Sequence, residues 1–440
     1  MFPQLTILLI CALLAAGCGG DARSPRLPVR PSPPAGDVPA SPSWSLAYSP
    51  DLATLGVPAD WSRLDPWQET LSRQTFEDLL NRVYTSAPGV WQPWIALSDS
   101  HAAIRKSNRG PDERYLLRFA DSDAPKPPRY WRTPAVLPPA SDPARPLAGL
   151  RIAIDPGHMG GAWAHMEKRF FQIGDDPPVQ EGDMVLAVAR ILQDRLGARG
   201  AEVMLVRDKP GPVTPLRPEA LTAYTRAMLE QSGLADPSPG VLAATRDKVF
   251  SVNAEIRARA ALVNDVMRPD LVLALHFNGE AWGEATAPVF STRNHLHVLV
   301  HGCLEPGELA HDDERLEMLI KLLQRTHEVE RDLGGAAAGA LAGATGLPPF
   351  TYRGANARRC GDSPYLWVRN LLASRLYQCP VIYLEPHVMN HALTYERIRA
   401  GAYAGKRAIA GVERANIFDE YATATAAAVE SWFVSQRAGP

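Results

Sequence analysis

The chain has 440 residues, which exceeds the usual domain size of roughly 100 to 200 residues, so two folded units joined by linkers are expected. Its hydrophobic fraction of 46% is sufficient for a sizeable core, whereas its 40 prolines, concentrated near the N-terminus, indicate linker. The net charge of −2 gives no support for binding to nucleic acid, which requires a basic domain or a basic face.

The N-terminus carries a short apolar segment, LTILLICALLAA, at residues 5–16. A membrane-spanning helix needs about 20 apolar residues, so this segment indicates the hydrophobic part of a secretory signal. The last four residues of this segment and the next two, LLAAGC, resemble the lipobox of bacterial lipoproteins. The resemblance implies a signal peptide over 1–17 and a lipid anchor on Cys18. Because no Lys or Arg precedes the segment and Ala15 stands where leucine is usual, an unlipidated secretory signal is the alternative.

Residues 18–43 are rich in Pro, Gly and Ser, which predicts a disordered tether. By resemblance to Gram-negative lipoproteins, Gly19 after the cysteine favours the outer membrane, with the protein facing the periplasm. Besides the anchor, Cys303, Cys360 and Cys379 remain in the processed chain, so at most one disulfide forms among them. They lack a CxxC spacing, which argues against a structural zinc site made of cysteines.

Residues 44–143 are predicted to form a small α+β domain of unknown role. TFEDLLNRVYTS has helical spacing with Thr75 as the N-cap, and WQPWIALSD and RYLLRFAD predict strands. A buried core is preferred to a glycan-binding surface for its aromatic residues, which are Trp61, Trp67, Tyr84, Trp91, Trp94, Tyr115, Phe119, Tyr130 and Trp131. A proline-rich stretch then marks a boundary near residue 147.

From Leu150 onward the pattern becomes α/β. Helices are predicted in EGDMVLAVARILQDRLGARG, which ends at Gly200, and around EIRARAALVNDV. Apolar strands are predicted in LRIAID, AEVMLVRD, PDLVLALHFN, NHLHVLVH and PVIYLE. Strands that alternate with helices predict a twisted, mainly parallel sheet flanked by helices over 149–437, with chemistry at the strand ends.

Two histidines and two glutamates stand at such ends. His158 follows the strand IAID in a Pro-Gly turn, and His276 ends LALHFN. Glu181 opens the first helix, and Glu385 ends VIYLE. Singly, each has a structural explanation; Glu181, for instance, is a favourable charge at a helix N-terminus. Together, two histidines and one glutamate form a recurrent catalytic zinc set, and the second glutamate would serve as general base and acid.

The motifs resemble those of the zinc-dependent N-acetylmuramoyl-L-alanine amidases. IAIDPGHMGG, the helix start EGDMVL, RAALVN followed by DLVLALHFN, and PVIYLE with Asn390 occur in the family's order across most of residues 150 to 435. The resemblance implies one zinc ion held by His158, Glu181 and His276, with Glu385 as the catalytic carboxylate. It also implies supporting roles for Arg259 and Asn264, for which a pair on the helix surface is the alternative.

The implied activity is hydrolysis of the amide between N-acetylmuramic acid and L-alanine in peptidoglycan. The partners are then peptidoglycan, the membrane through Cys18 and, as a further candidate, a protein activator. Two other functions fit the residues: a zinc hydrolase of another cell-wall amide, and a non-catalytic peptidoglycan-binding lipoprotein. The latter would be expected to have lost a ligand or Glu385, whereas all four residues are present.

Three features depart from the family pattern. The loop GGAWAHMEKRFFQIGDDPPVQ is long and carries His165, and His387 follows Glu385 where the family has Gly-Phe. His387 is expected either to tune Glu385 or bind substrate, or to be structural. Residues 302–365 exceed what the minimal enzyme needs. In some relatives an inserted helix here covers the zinc, so autoinhibition is one hypothesis, and a cap that shapes substrate access is the preferred one.

NHLHVLVH places His295, His297 and His301 on one face of a strand, because side chains two apart point the same way. This is a rival metal cluster. A half-exposed strand face is the preferred explanation, since no recognised motif brings a carboxylate beside it.

Overall fold

The computed structural model describes residues 46–83, 86–124, 128–138, 140–284 and 287–437. The predicted signal peptide, the tether and Tyr84 lie outside the described residues. In the part of the chain that is described, no helix is both long and apolar enough to cross a membrane.

A seven-stranded sheet forms the centre of the protein, in the order β10-β11-β9-β12-β8-β4-β7. Four of its six pairings are parallel, and the β9–β12 and β10–β11 pairings are antiparallel. The predicted mainly parallel sheet is therefore confirmed. Its strands are β4 (Arg151–Pro156), β7 (Glu202–Leu205), β8 (Leu271–Leu275), β9 (Leu296–Val300), β10 (Ala357–Arg359), β11 (Leu366–Arg369) and β12 (Val381–Pro386).

The remaining strands form three small sheets: β1 (Ile95–Leu97), β2 (His101–Arg105) and β3 (Arg114–Arg118); β5 (Phe170–Phe171) and β6 (Val179–Gln180); and β13 (Lys406–Ile409) and β14 (Val412–Ala415). The helices are α1 (Arg73–Arg82), α2 (Ala164–Glu167), α3 (Glu181–Ala198), α4 (Thr222–Gln231), α5 (Pro239–Lys248), α6 (Glu255–Ala261), α7 (Pro306–Leu309), α8 (Asp312–Gln324), α9 (Thr326–Thr345), α10 (Leu372–Leu376), α11 (Ala392–Arg399) and α12 (Ile417–Arg437).

Helices cover both faces of the central sheet, as predicted. Alternate strand residues point to opposite faces, so Ile152 and Ile154 of β4 pack with α3, α9 and α12, whereas Ala153 packs with α6 and α10. Parallel strands that are buried on both faces are uniformly apolar, and β8 and β9 are buried along their whole length. Gly200, in a left-handed conformation (φ 99°), follows α3, as the sequence predicts.

The N-terminal region contains the predicted helix and strands and one strand, β2, that the sequence reasoning missed. The N-cap prediction was wrong: Ser72, not Thr75, caps α1, because the Thr75 N–H donates to Ser72 Oγ. The preference for buried aromatics is confirmed, since Trp61, Trp67, Trp91, Trp94 and Trp131 are all buried.

The core of this region is shared with helix α8 of the 302–365 segment. Trp61, Leu64 and Phe76 belong to one apolar cluster with Leu316 and Leu319 of α8. The N-terminal end of α8 is also tied to the region, because the Arg315 guanidinium, which is fully buried, donates to the backbone oxygen of Arg105. The described residues form one compact unit, and the division into a small N-terminal domain and a catalytic domain stays a prediction.

Candidate metal centre

His158 and His276 lie side by side because their strands are neighbours. β4 and β8 are parallel and in register up to the pair Pro156 and Leu275, so both chains leave the sheet at the same edge. The two imidazole rings are 5.1 Å apart between centroids and nearly perpendicular. Gly157 permits this approach, since a Cβ there would lie 2.3 Å from Cε1 of His276.

Glu181, the first residue of α3, completes a group of three ligands. One atom from each of His158, Glu181 and His276 lies within 4.8 Å of the others, and these residues form the one such group in the described chain. Glu181 Oε2 lies 3.3 Å from His158 Nε2, and Oε1 lies 3.2 Å from His276 Nδ1. Glu181 is 1% exposed, whereas the histidines keep 18% and 17% of their side chains open to solvent. The predicted ligands are therefore brought together, with the histidines facing an open space.

Glu167 fixes the orientation of His158. Its Oε1 lies 3.3 Å from His158 Nδ1, and its Oε2 accepts a 2.8 Å hydrogen bond from the Met159 N–H. With Nδ1 engaged, Nε2 is directed toward Glu181. A carboxylate behind a histidine ligand sets the tautomer and the ring orientation. Glu167 lies in the long loop and was not a predicted site residue, because no motif marks it.

The charges of these residues favour a cation between them. Burial alone would lower the pKa of His158, but Glu181 and Glu167 outweigh it and raise that pKa to about 9. Burial likewise opposes ionisation of Glu181, yet His158 and His276 hold its pKa well below the usual range. In addition, Glu181 Oε2 is buried and has no hydrogen-bond partner among the described residues. An unpaired buried carboxylate oxygen is costly, so these groups fit a cation better than they fit one another.

Glu385 lies at the end of β12, beside the His276 strand, and lines the same cavity of about 620 Å³ as the three ligands. Its Oε2 is 3.3 Å from His297 Nε2. Burial works to raise the pKa of Glu385, but His297, and more weakly His276, lower it to about 2. Glu385 is thus ionised at neutral pH.

The three histidines of the rival cluster do not converge. His295 Nε2 lies 2.8 Å from Glu280 Oε1, and His297 is engaged with Glu385. His301 is buried beside Ser374 and does not line the cavity. The physical reason is that β9 runs antiparallel to β12: its N-terminal end lies at the edge that holds Glu385, and its C-terminal end, with His301, lies at the opposite edge.

Arg259 supports the His158 turn directly. It is buried, donates to Asp155 Oδ1 at 2.7 Å, and donates to the backbone oxygens of Pro156 and His158 at 2.8 and 2.7 Å. Helix α6, which carries it, has a π-helical turn on each side. Asn264 instead bonds to Leu376 and Gln378, on the approach to β12. The alternative of a pair on the helix surface is therefore wrong, because each side chain bonds to a segment outside its own helix.

Neither His387 nor His165 lines the cavity. His387 is buried and its Nε2 lies 3.5 Å from Glu420 Oε1 of α12, so it has a structural setting and does not line the cavity. The His165 ring packs against Phe170 at a tilt, with 3.9 Å between ring centroids. Glu167 and Arg169 of the same loop do line the cavity. Helices α8 and α9 contribute no lining residue, so neither covers the ligands.

The 302–365 segment reaches the cavity only through the loop after α9. Phe350 and Tyr352 of this loop line the cavity wall, which agrees with the preferred hypothesis of a segment that shapes access. The autoinhibition hypothesis required a helix over the ligands, and the described helices of the segment pack elsewhere.

Solved structures similar to this chain include several amidases. Ami1, an N-acetylmuramyl-L-alanine amidase from Mycobacterium smegmatis, is 17% identical, with 66% of this chain and 99% of that chain covered and a TM-score of 0.37. The CwlD amidase from Clostridioides difficile, solved in complex with the GerS lipoprotein, is 10% identical (64% and 98% covered, TM-score 0.37). The amidase AmiC2 of Nostoc punctiforme is 14% identical (66% and 98% covered, TM-score 0.33).

No family model matches the sequence, and no curated protein matches it.

Proposed function

We propose that this protein is a zinc-dependent N-acetylmuramoyl-L-alanine amidase, which hydrolyses the amide between N-acetylmuramic acid and L-alanine during cell-wall remodelling or daughter-cell separation. One observation carries the proposal: His158, Glu181, His276 and Glu385 line a single open cavity. His158, Glu181 and His276 have the donor atoms of a catalytic metal site. Glu385 is a carboxylate that lies outside this group of ligands and is free to act on the substrate.

Zinc fits the first three residues. Two imidazole nitrogens and one carboxylate oxygen are a recurrent donor set for catalytic zinc, with the fourth position open. Three observations suit a divalent cation at this place: Glu181 Oε2 is buried without a hydrogen bond, the pKa of His158 is raised, and Glu167 supports His158. Zinc bound there would polarise the amide carbonyl and bring the pKa of a water molecule close to neutrality.

Glu385 would move the proton in this reaction. An amine is a poor leaving group, so a proton must reach its nitrogen as the C–N bond breaks. The Glu385 carboxylate would take that proton from the attacking water and deliver it to the nitrogen of the departing alanine. General acid and base assistance of this kind is worth about 10² to 10⁴ in rate.

The cavity also suits a substrate that carries carboxylates. Arg169 and Arg369 line it. Peptide stems of the cell wall have free carboxylates, which guanidinium groups bind well. These two arginines would therefore hold the peptide side of the substrate.

We further propose that the chain is exported and anchored by a lipid on Cys18, facing the periplasm from the outer membrane. Peptidoglycan would then be within reach of the tether, and a protein activator is a further proposed partner. The test is membrane fractionation of the Cys18→Ala variant. A variant that still fractionates with membranes would contradict the lipid anchor.

The test is digestion of purified peptidoglycan by the purified protein, with Glu385→Gln as the inactive variant and Glu280→Gln as the matched control. Glu280 lines the same cavity but is engaged by His295 and Arg293. We expect release of peptides with a free N-terminal alanine, loss of release with chelator and recovery with zinc. Glu385→Gln should lose about 10²-fold or more, while Glu280→Gln stays active.

Two results would contradict the proposal. Products whose glycan keeps its alanine would identify a hydrolase of another cell-wall amide. A folded, zinc-loaded chain that binds peptidoglycan without cutting it would be a binding protein.

A further inference from the structure

We propose that His297 is a positioning residue for Glu385: its Nε2–H donates to Oε2 of the carboxylate and leaves Oε1 to take the proton of the attacking water. This inference rests on the proposed amidase function. It concerns a histidine for which the resemblance implied no role.

The two side chains meet because of the antiparallel β9–β12 pairing. His297 and Glu385 are direct partners in this register, and partners in an antiparallel pair point to the same face. The distance from Nε2 to Oε2 is 3.3 Å. His297 is 3% exposed, so water does not compete well for this contact, whereas Glu385 keeps 20% of its side chain open to the cavity. His297 thus contacts one oxygen of Glu385, and the other oxygen is left open to the cavity.

The imidazole is itself held in place by the loop after α9. Tyr352 Oη lies 3.0 Å from the same Nε2, with its ring edge-on to the imidazole at 5.3 Å. Phe350 packs on the imidazole at 5.1 Å. Arg369 Nη1 donates to Tyr352 Oη at 3.4 Å, which fixes the phenol from its other side. The wall of the cavity therefore determines where the imidazole, and through it the carboxylate, can lie.

Burial selects the tautomer that this role requires. His297 Nδ1 is buried and has no hydrogen-bond partner among the described residues. A proton on Nδ1 would be an unpaired buried N–H, which proteins rarely tolerate, whereas an unpaired acceptor is less costly. The proton therefore sits on Nε2, opposite the carboxylate.

Tyr352 Oη lies 3.0 Å from the same Nε2 and shares its proton with Glu385 Oε2, whereas the other neighbouring charged groups are engaged elsewhere. His295 is on the same strand, 6.0 Å away between ring centroids, but its Nε2 is engaged by Glu280. Arg293 also pairs with Glu280, and Arg369 contacts Tyr352. The two histidines of β9 thus serve two different carboxylates.

The proton balance of the step is simple. An O–H bond of water breaks as its oxygen attacks the amide carbon, and the proton moves to Glu385 Oε1. The proton then passes to the amide nitrogen as the C–N bond breaks, and Glu385 is ionised again. His297 keeps its own proton throughout.

The test compares His297→Phe with His297→Gln in the zinc-loaded protein. Phenylalanine keeps the ring but removes the donor, and the glutamine amide N–H can reach the position of Nε2. His295→Phe, which removes the neighbouring imidazole, is the matched control. We expect His297→Phe to lower kcat about 10- to 100-fold with little change in KM, and His297→Gln to recover most of the loss. His295→Phe should keep most of its kcat.

Equal losses in both His297 variants, or a His297→Phe variant with the wild-type kcat, would overturn the inference. Nitrogen NMR of labelled histidines gives a second readout that needs no activity. A His297 imidazole protonated on Nε2 supports the contact, and one protonated on Nδ1 refutes it. If the wild-type protein cuts no peptidoglycan, the proposed function fails, and this tautomer measurement still decides the contact.

Discussion

Replacing Glu167 with glutamine isolates the contribution of the carboxylate behind His158. Glutamine has nearly the same shape, so its amide oxygen can still accept from the Met159 N–H, as Glu167 Oε2 does at 2.8 Å. Its NH₂ group then faces His158 Nδ1, which is 3.3 Å from Glu167 Oε1 in the native chain. Two donors meet where a charge-assisted hydrogen bond stood, so the imidazole loses the support that aims Nε2 at the metal.

The magnitude follows from the energy of one such bond. A hydrogen bond to a charged group contributes about 1.5 to 3 kcal/mol, and about 1.4 kcal/mol corresponds to a factor of ten in affinity. Zinc binding to Glu167→Gln should therefore be about 10- to 100-fold weaker, which is the range for partners of histidine ligands in general.

The assay is competition for zinc between the apoprotein and a chromophoric chelator at fixed pH. Glu280→Gln is the control, because Glu280 is a carboxylate of the same cavity that contacts none of the three ligands. We expect the control to bind zinc as the native chain does. A Glu167→Gln protein with the native zinc affinity and an intact fold would refute the role of Glu167.

Two further predictions concern stability. Burial is the main cause that raises the pKa of Glu314 from 4.5 to about 7, with Asp313 and Glu317 adding to it against the pull of Arg375. Between these values the folded protein binds the proton that the unfolded chain has lost, so the free energy of unfolding should fall as pH rises from about 4.5 to 7, by at most about 1.4 kcal/mol per pH unit. Glu314→Gln should flatten that slope in urea titrations, and an unchanged slope would contradict the argument. Leu319→Ala removes a fully buried side chain of α8 and should cost about 2 to 5 kcal/mol. Hydrogen exchange should then speed up in both β2 and β8, and a change confined to β2 would contradict a shared stability.

The sequence allowed the ligands and the parallel part of the sheet to be predicted because both depend on local pattern. His158 and His276 each end an apolar strand, and parallel neighbours bring such ends to one edge. Glu181 begins a helix whose apolar spacing is plain in the sequence.

The surroundings of the ligands could not be predicted in this way. The direction of β9 decides that His297 meets Glu385 while His301 lies at the far edge, and an isolated strand pattern carries no direction. Glu167 lies in a loop without periodicity, nine residues from its partner His158. Tyr352 contacts His297 across 55 residues of sequence. Contacts of this kind are set by tertiary packing, which single-sequence patterns do not report.

The apolar cluster that joins the N-terminal region to α8 also has a consequence for how such a chain can change through evolution. Leu64 and Leu319 are both fully buried in it, although more than half of the chain separates them in sequence. Loss of the N-terminal region would expose the apolar surface of α8, and loss of α8 would expose the tryptophans of the N-terminal region. A lineage is therefore not expected to lose either segment alone.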